Sequence, residues 1–117
     1  MNPWLVGAGA LALLLGTAHS YLGERYVLMR LFRRPLPPLF GDDTFTRRTL
    51  RFQWHLLTLA WWGMGGYLLL SPTDPVAVRA VAATFAASAL FTLGMSRGRH
   101  LAWALMGAIS GLAFAGA

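Results

Sequence analysis

The residues able to do chemistry in this 117-residue chain are few, and most lie in two short stretches. One is Gly16-Thr-Ala-His-Ser-Tyr-Leu-Gly-Glu-Arg25, in which His19, Ser20 and Glu24 follow an apolar and small-residue run from Pro3 to Leu15. The other runs from Arg51 to Thr58 and holds His55. The third histidine, His100, closes a short basic connection after Arg97 and Arg99. Imidazole and carboxylate groups converging in an apolar setting can bind a metal or haem iron, or pass protons. An ionisable side chain inside a membrane span is costly, so each of these is a functional hypothesis by default.

Helical spacing determines which of them can meet. Gly9, Ala12, Gly16, His19, Ser20 and Gly23 fall on one stripe at steps of three and four. Small residues let helices approach closely in lipid, so His19 and Ser20 are expected to face a neighbouring helix. Glu24 stands five residues after His19, about 140° further round a helix. It therefore looks towards whichever neighbour carries Arg51. Arg51, His55, Trp62 and Gly66 share a second stripe, with Thr58 beside it. His100, Ala104, Gly107 and Gly111 form a third, and Thr84, Ser88 and Thr92 a hydroxyl ladder. The expected ligand-binding set is His19, Glu24 and His55, supported by Arg51, Thr58 and Ser20. A metal or haem would draw on His19, His55 and His100.

Each feature also has a plainer reading. A histidine in a helix bundle often only donates a hydrogen bond to its neighbour, and Glu24 serves as an ion-pair partner for Arg51 or Arg25. Trp54, Trp61 and Trp62 read as packing or lipid-facing residues, and the glycines as packing devices. No Gly-rich phosphate loop, clustered-histidine iron motif or Ser/His/Asp set is present.

The elements that must position these residues are membrane helices. Over half the residues are hydrophobic, an eighth are charged, and lysine and cysteine are absent. That mixture is wrong for a small soluble domain. We expect an all-α, integral membrane four-helix up-down-up-down bundle, a single domain over 1–117 with spans at about 4–31, 45–70, 75–95 and 98–116. Met1-Asn-Pro-Trp4 lacks the basic n-region of a signal peptide, so the first run is expected to be a retained span. Three prolines in residues 33–43 stop the first helix. Asp43 or Thr44 caps the second, and Asp74 with Pro75 starts the third.

The arginines give the orientation. Nine flank the 1–2 and 3–4 connections and only Arg79 lies on the other side. This places those connections in the cytoplasm and both termini outside, in a multi-pass membrane protein. Counting ~1.5 Å per residue, His19 lies about 7 Å inside Glu24 and His55 about 6 Å beyond Arg51, so all three histidines fall in the cytoplasmic leaflet. The net charge of +6 is explained by this topology, which excludes nucleic acid as a partner. The expected partners are the bilayer, anionic lipids at the Arg-rich loop, and a second copy of the chain.

With His-Ser-x-Leu-Gly-Glu over His19 to Glu24 and Trp-His-x-x-Thr over Trp54 to Thr58, the chain resembles a group of small bacterial inner-membrane proteins sharing these two segments. The resemblance covers the first two spans. It implies that His19, Glu24 and His55 belong to one site, and implies no substrate. Length and span number also resemble the small multidrug transporters, but Glu24 ends its span where theirs sits mid-membrane.

Three functional readings follow. The first is a polar site in the cytoplasmic half that binds a metal, haem or small polar ligand. The second is an oligomeric transporter or channel using Glu24. The third is a structural or accessory membrane subunit, with no enzymatic reaction indicated.

Overall fold

Where the chain turns helical is set by local capping chemistry. The Asn2 side-chain oxygen accepts from the N–H groups of Trp4 and Leu5, and Pro3 occupies the first helical position. Asp74 does the same for Val76 ahead of Pro75. The computed structural model describes residues 1–117 and is all-α, with four helices and no strands beyond one isolated bridge, Leu39 to Asp42. Helix α1 runs Pro3–Leu31, α2 Thr44–Leu69, α3 Pro75–Ser96 and α4 Ala102–Gly116. α1 is α-helical over Pro3–Gly23, widens to a π turn over Glu24–Leu28 and closes with Met29–Leu31. α3 ends with Arg97 and Gly98 at positive φ, and the Gly98 N–H closes back on the Leu93 carbonyl.

The connection after α1 is folded onto the start of α2. Arg47 donates to the carbonyls of Phe32 and Arg34 and pairs with Asp43 at 2.9 Å. Asp43, the residue before α2, makes no capping bond, because its carboxylate accepts from the Leu36 N–H and Arg47. Those bonds hold its carboxyl below the usual aspartate range, the Arg47 bond contributing most. The cap falls instead to Asp42, which accepts from the Thr44 N–H.

α1 packs against both α2 and α4, and α3 packs against α4. Along α1, the α2 partners descend in number: Asn2 meets Ser71, Gly16 meets Thr58, His19 meets Trp54 and Glu24 meets Arg51. Glycine sets the closeness of this pair. A Cβ on Gly9 would run into the Gly65 carbonyl, and one on Gly65 into that of Gly9. Although a short turn joins α2 to α3, the two are not among the closely packed pairs. Trp61 and Leu68 from α2 and Phe85 from α3 are nevertheless buried in the one core cluster to which all four helices contribute.

Several inward faces differ from the expected stripes. α3 buries Val78, Ala82, Phe85 and Ala89. Its Thr84 and Ser88 hydroxyls bond to carbonyls of their own helix, and only Thr92 reaches another, at Met106. α4 buries Met106, Ile109, Ser110 and Ala113, while a Cβ on Gly107, Gly111 or the α2 residue Gly66 would meet nothing. These helices are apolar on nearly every side, so side-chain volume and not polarity selects the buried face.

Helix length and apolarity also depart from four equal spans. α1 and α3 are long and apolar enough to cross a membrane, by length and composition. α2 is long enough, but Gln53, His55, Tyr67 and its tryptophans dilute its apolar character. α4 has 15 residues because the chain stays in turns through Leu101, and it extends only about 22 Å.

Candidate functional site

The polar side chains of α1 and α2 meet where the two helices cross near the π turn. The site is built from Glu24, the first residue of that turn, and from successive turns of α2 carrying Arg51, His55 and Thr58. Glu24 bridges two donors: its Oε1 lies 2.7 Å from Arg51 Nη2 and its Oε2 3.0 Å from His55 Nε2. A carboxylate oxygen so placed accepts, so His55 Nε2 carries hydrogen. The other ring nitrogen, Nδ1, lies 2.8 Å from the Ser20 hydroxyl. Ser20 in turn lies 2.5 Å from the Thr58 hydroxyl, and Thr58 donates to the Gly16 carbonyl at 3.2 Å.

The chain of contacts is thus Arg51, Glu24, His55, Ser20, Thr58, Gly16. It grades from half-exposed at Arg51 to buried at Thr58, which is only 3% exposed. Hydroxyls rotate freely, so the proton positions follow from counting donors. A carbonyl only accepts; Thr58 therefore points to Gly16 when that bond is made. Ser20 must then donate to Thr58, and His55 Nδ1 must donate to Ser20. All four bonds from Glu24 to Gly16 coexist only with hydrogen on both nitrogens of His55. With hydrogen on Nε2 alone, Ser20 donates to Nδ1, Thr58 donates to Ser20, and the Gly16 carbonyl loses its side-chain donor.

His19 is placed beside this network but outside it. Its Nε2 donates to the Trp54 carbonyl at 3.0 Å, while Trp54 Nε1 donates to the His19 carbonyl at 2.9 Å. The two rings stack with centroids 4.7 Å apart and planes within 1°, and Trp61 meets His19 edge-on. Gly23 makes room for this, since a Cβ there would collide with the Trp54 indole. Trp62 adds a further tie, donating to the Leu13 carbonyl at 3.1 Å.

Of the expected ligand-binding set, Glu24, His55, Arg51, Thr58 and Ser20 are brought together. It is Ser20, and not His19, that meets His55. The expected metal set of His19, His55 and His100 is not assembled: no group of three or more His, Asp or Glu side chains stands in a metal-holding arrangement. His19 spends Nε2 on a carbonyl, both nitrogens of His55 are engaged, and exposed His100 accepts from the Ala102 N–H at the start of α4. Trp54 is the residue that spacing missed, whereas Trp62 lay on the expected stripe of α2. The one clue was that Gly9, Gly16 and Gly23 recur every seventh residue, and of these Gly16 and Gly23 make room for the Trp62 and Trp54 rings. No protein-family model, curated protein or solved structure matches the chain.

Proposed function

We propose that this chain is an integral membrane up-down-up-down four-helix protein, in the inner membrane of a bacterium, whose α1–α2 site takes up and releases a proton. The kinship with small inner-membrane proteins carrying the same two segments belongs to this reading. Support for the membrane comes from the outside of the fold. Only 20 of 117 residues are buried, and large apolar side chains such as Leu14, Leu59, Leu90 and Phe91 are more than half exposed. Hydrocarbon covers such a surface favourably, and water does not.

The observation that carries the proton reading is the Glu24–His55–Ser20–Thr58–Gly16 chain. A proton added at His55 Nδ1 reverses both hydroxyls and completes the bond to Gly16. One removed restores the opposite direction. The ligand for which this site is already arranged is therefore a proton, with the Glu24 carboxylate, shared with Arg51, as the counter-charge to the imidazolium. Uptake at such a site is what a proton-coupled transporter or a pH-responsive accessory subunit requires.

A second reading, a purely structural tie between α1 and α2, is favoured by the absence of any unpartnered buried side-chain polar atom. Melting of the protein in lipid nanodiscs as a function of pH separates the two. The proton reading expects the wild type to show a pH dependence of which His55→Gln removes the part that Asp43 does not supply. A His55→Gln variant equally weakened at every pH would leave only the structural tie.

A further inference from the structure

We infer that one flank of α2 is a binding site for the phosphate headgroup of an anionic phospholipid, with an acyl chain lying along the same helix face; this rests on the membrane reading above. The flank forms a groove of about 540 Å³ with Arg47, Arg48, Arg51 and His55 among its lining, and Leu56 and Leu59 below them. No carboxylate lines it. Arg47 and Arg51 are engaged by Asp43 and Glu24, whereas Arg48 has no carboxylate within ion-pair distance. An exposed guanidinium beside two half-neutralised ones is suited to a phosphodiester, which it binds through paired N–H donors.

The apolar continuation selects the lipid over a free phosphate. Leu56 and Leu59 are both more than half exposed, and they lie about 12 and 16 Å along the helix from Arg48. That is the reach of a headgroup followed by the first part of an acyl chain. A soluble anion would leave the leucines uncovered. Because Arg51 and His55 belong to both the groove and the proton site, a bound headgroup would compete with Glu24 for Arg51. Lipid charge would thereby act on the network.

The test counts lipids retained by the full chain in detergent, by native mass spectrometry, after exchange against phosphatidylglycerol or phosphatidylcholine. We expect several-fold greater retention of phosphatidylglycerol, declining as salt is raised. Arg48→Gln should abolish the preference, while Arg99→Gln, an equal change of charge on another connection, should keep it. Inorganic phosphate should not displace the lipid, and Leu56→Ser should weaken its retention. Equal retention of the two lipids, equal effects of the two arginine variants, or displacement by phosphate would overturn the site. The salt dependence of the wild type decides the matter even where a variant fails to fold. Failure of the wild type to float with phosphatidylcholine vesicles would refute the membrane reading itself, whereas flotation without lipid preference refutes only this site.

Discussion

His19 and Trp54 each donate a ring N–H to the other's backbone carbonyl, at 3.0 and 2.9 Å, while their rings lie stacked. This reciprocal pair fastens α1 to α2 beside the Glu24–His55 contact, so the alignment of Glu24, His55 and Ser20 depends on it.

Removing one half of the pair should be measurable. Trp54→Phe keeps an aromatic face for His19 but leaves the His19 carbonyl without its indole donor. The expected cost is about 1 kcal/mol, read as a lower melting temperature in nanodiscs with helix content retained.

Glycine substitutions should divide by position and not by residue type. Gly23→Ala drives a methyl group into the Trp54 indole, and the displaced ring should cost about 1–3 kcal/mol. Gly107→Ala and Gly111→Ala meet open space and should be neutral or gain up to about 1 kcal/mol through helix propensity. Parallel melts of the three variants check this ordering.

Ser20 links the imidazole to the inner hydroxyl, and its loss should depend on pH. In Ser20→Ala, His55 Nδ1 has no partner. An unsatisfied N–H on a charged ring costs more than an unsatisfied neutral acceptor. The melting temperature deficit relative to wild type should therefore widen on acidification, and a deficit constant with pH would speak for the structural tie alone.

The 33–43 connection should loosen in acid. Asp43 sits below the usual aspartate range in the folded protein because Arg47 and the Leu36 N–H bind its carboxylate. Its contribution is complete above the ordinary aspartate value and disappears as pH falls through the lower folded one. Hydrogen exchange at the Leu36 amide should rise over that interval, and Asp43→Asn should show the fast exchange already at neutral pH.

How much of this was legible varies by element for physical reasons. The Asp74–Pro75 start, the proline stop after α1 and the Glu24–Arg51 pairing follow from residue chemistry and helix angle, and the structure has each of them. The joining of His55 to Glu24 and Thr58 also follows from stripes on two facing helices. The π turn at Glu24 leaves no local signature, and it shifts every later residue of α1. Stripe geometry put His19 at the core of the site, yet its neighbour Ser20 takes that place, because adjacent residues on a helix point about 100° apart and only packing chooses between them. In α3 and α4 no apolar face stands out, so the Thr84 and Gly107 stripes gave a direction that core volume then reversed.

Donor counting along the chain ties the direction of the Ser20 and Thr58 hydroxyls to one proton at His55. The direct measurement is nuclear magnetic resonance of ¹⁵N-histidine-labelled protein in nanodiscs, titrated over the range where imidazole ordinarily changes charge, about pH 5–8. The prediction is that Nδ1 of His55 gains hydrogen while the Ser20 and Thr58 hydroxyl signals move with the same midpoint, and that in Glu24→Gln the three changes shift together. A His55 ring that does not change protonation in the folded protein, or one that does so while both hydroxyls stay fixed, would contradict it.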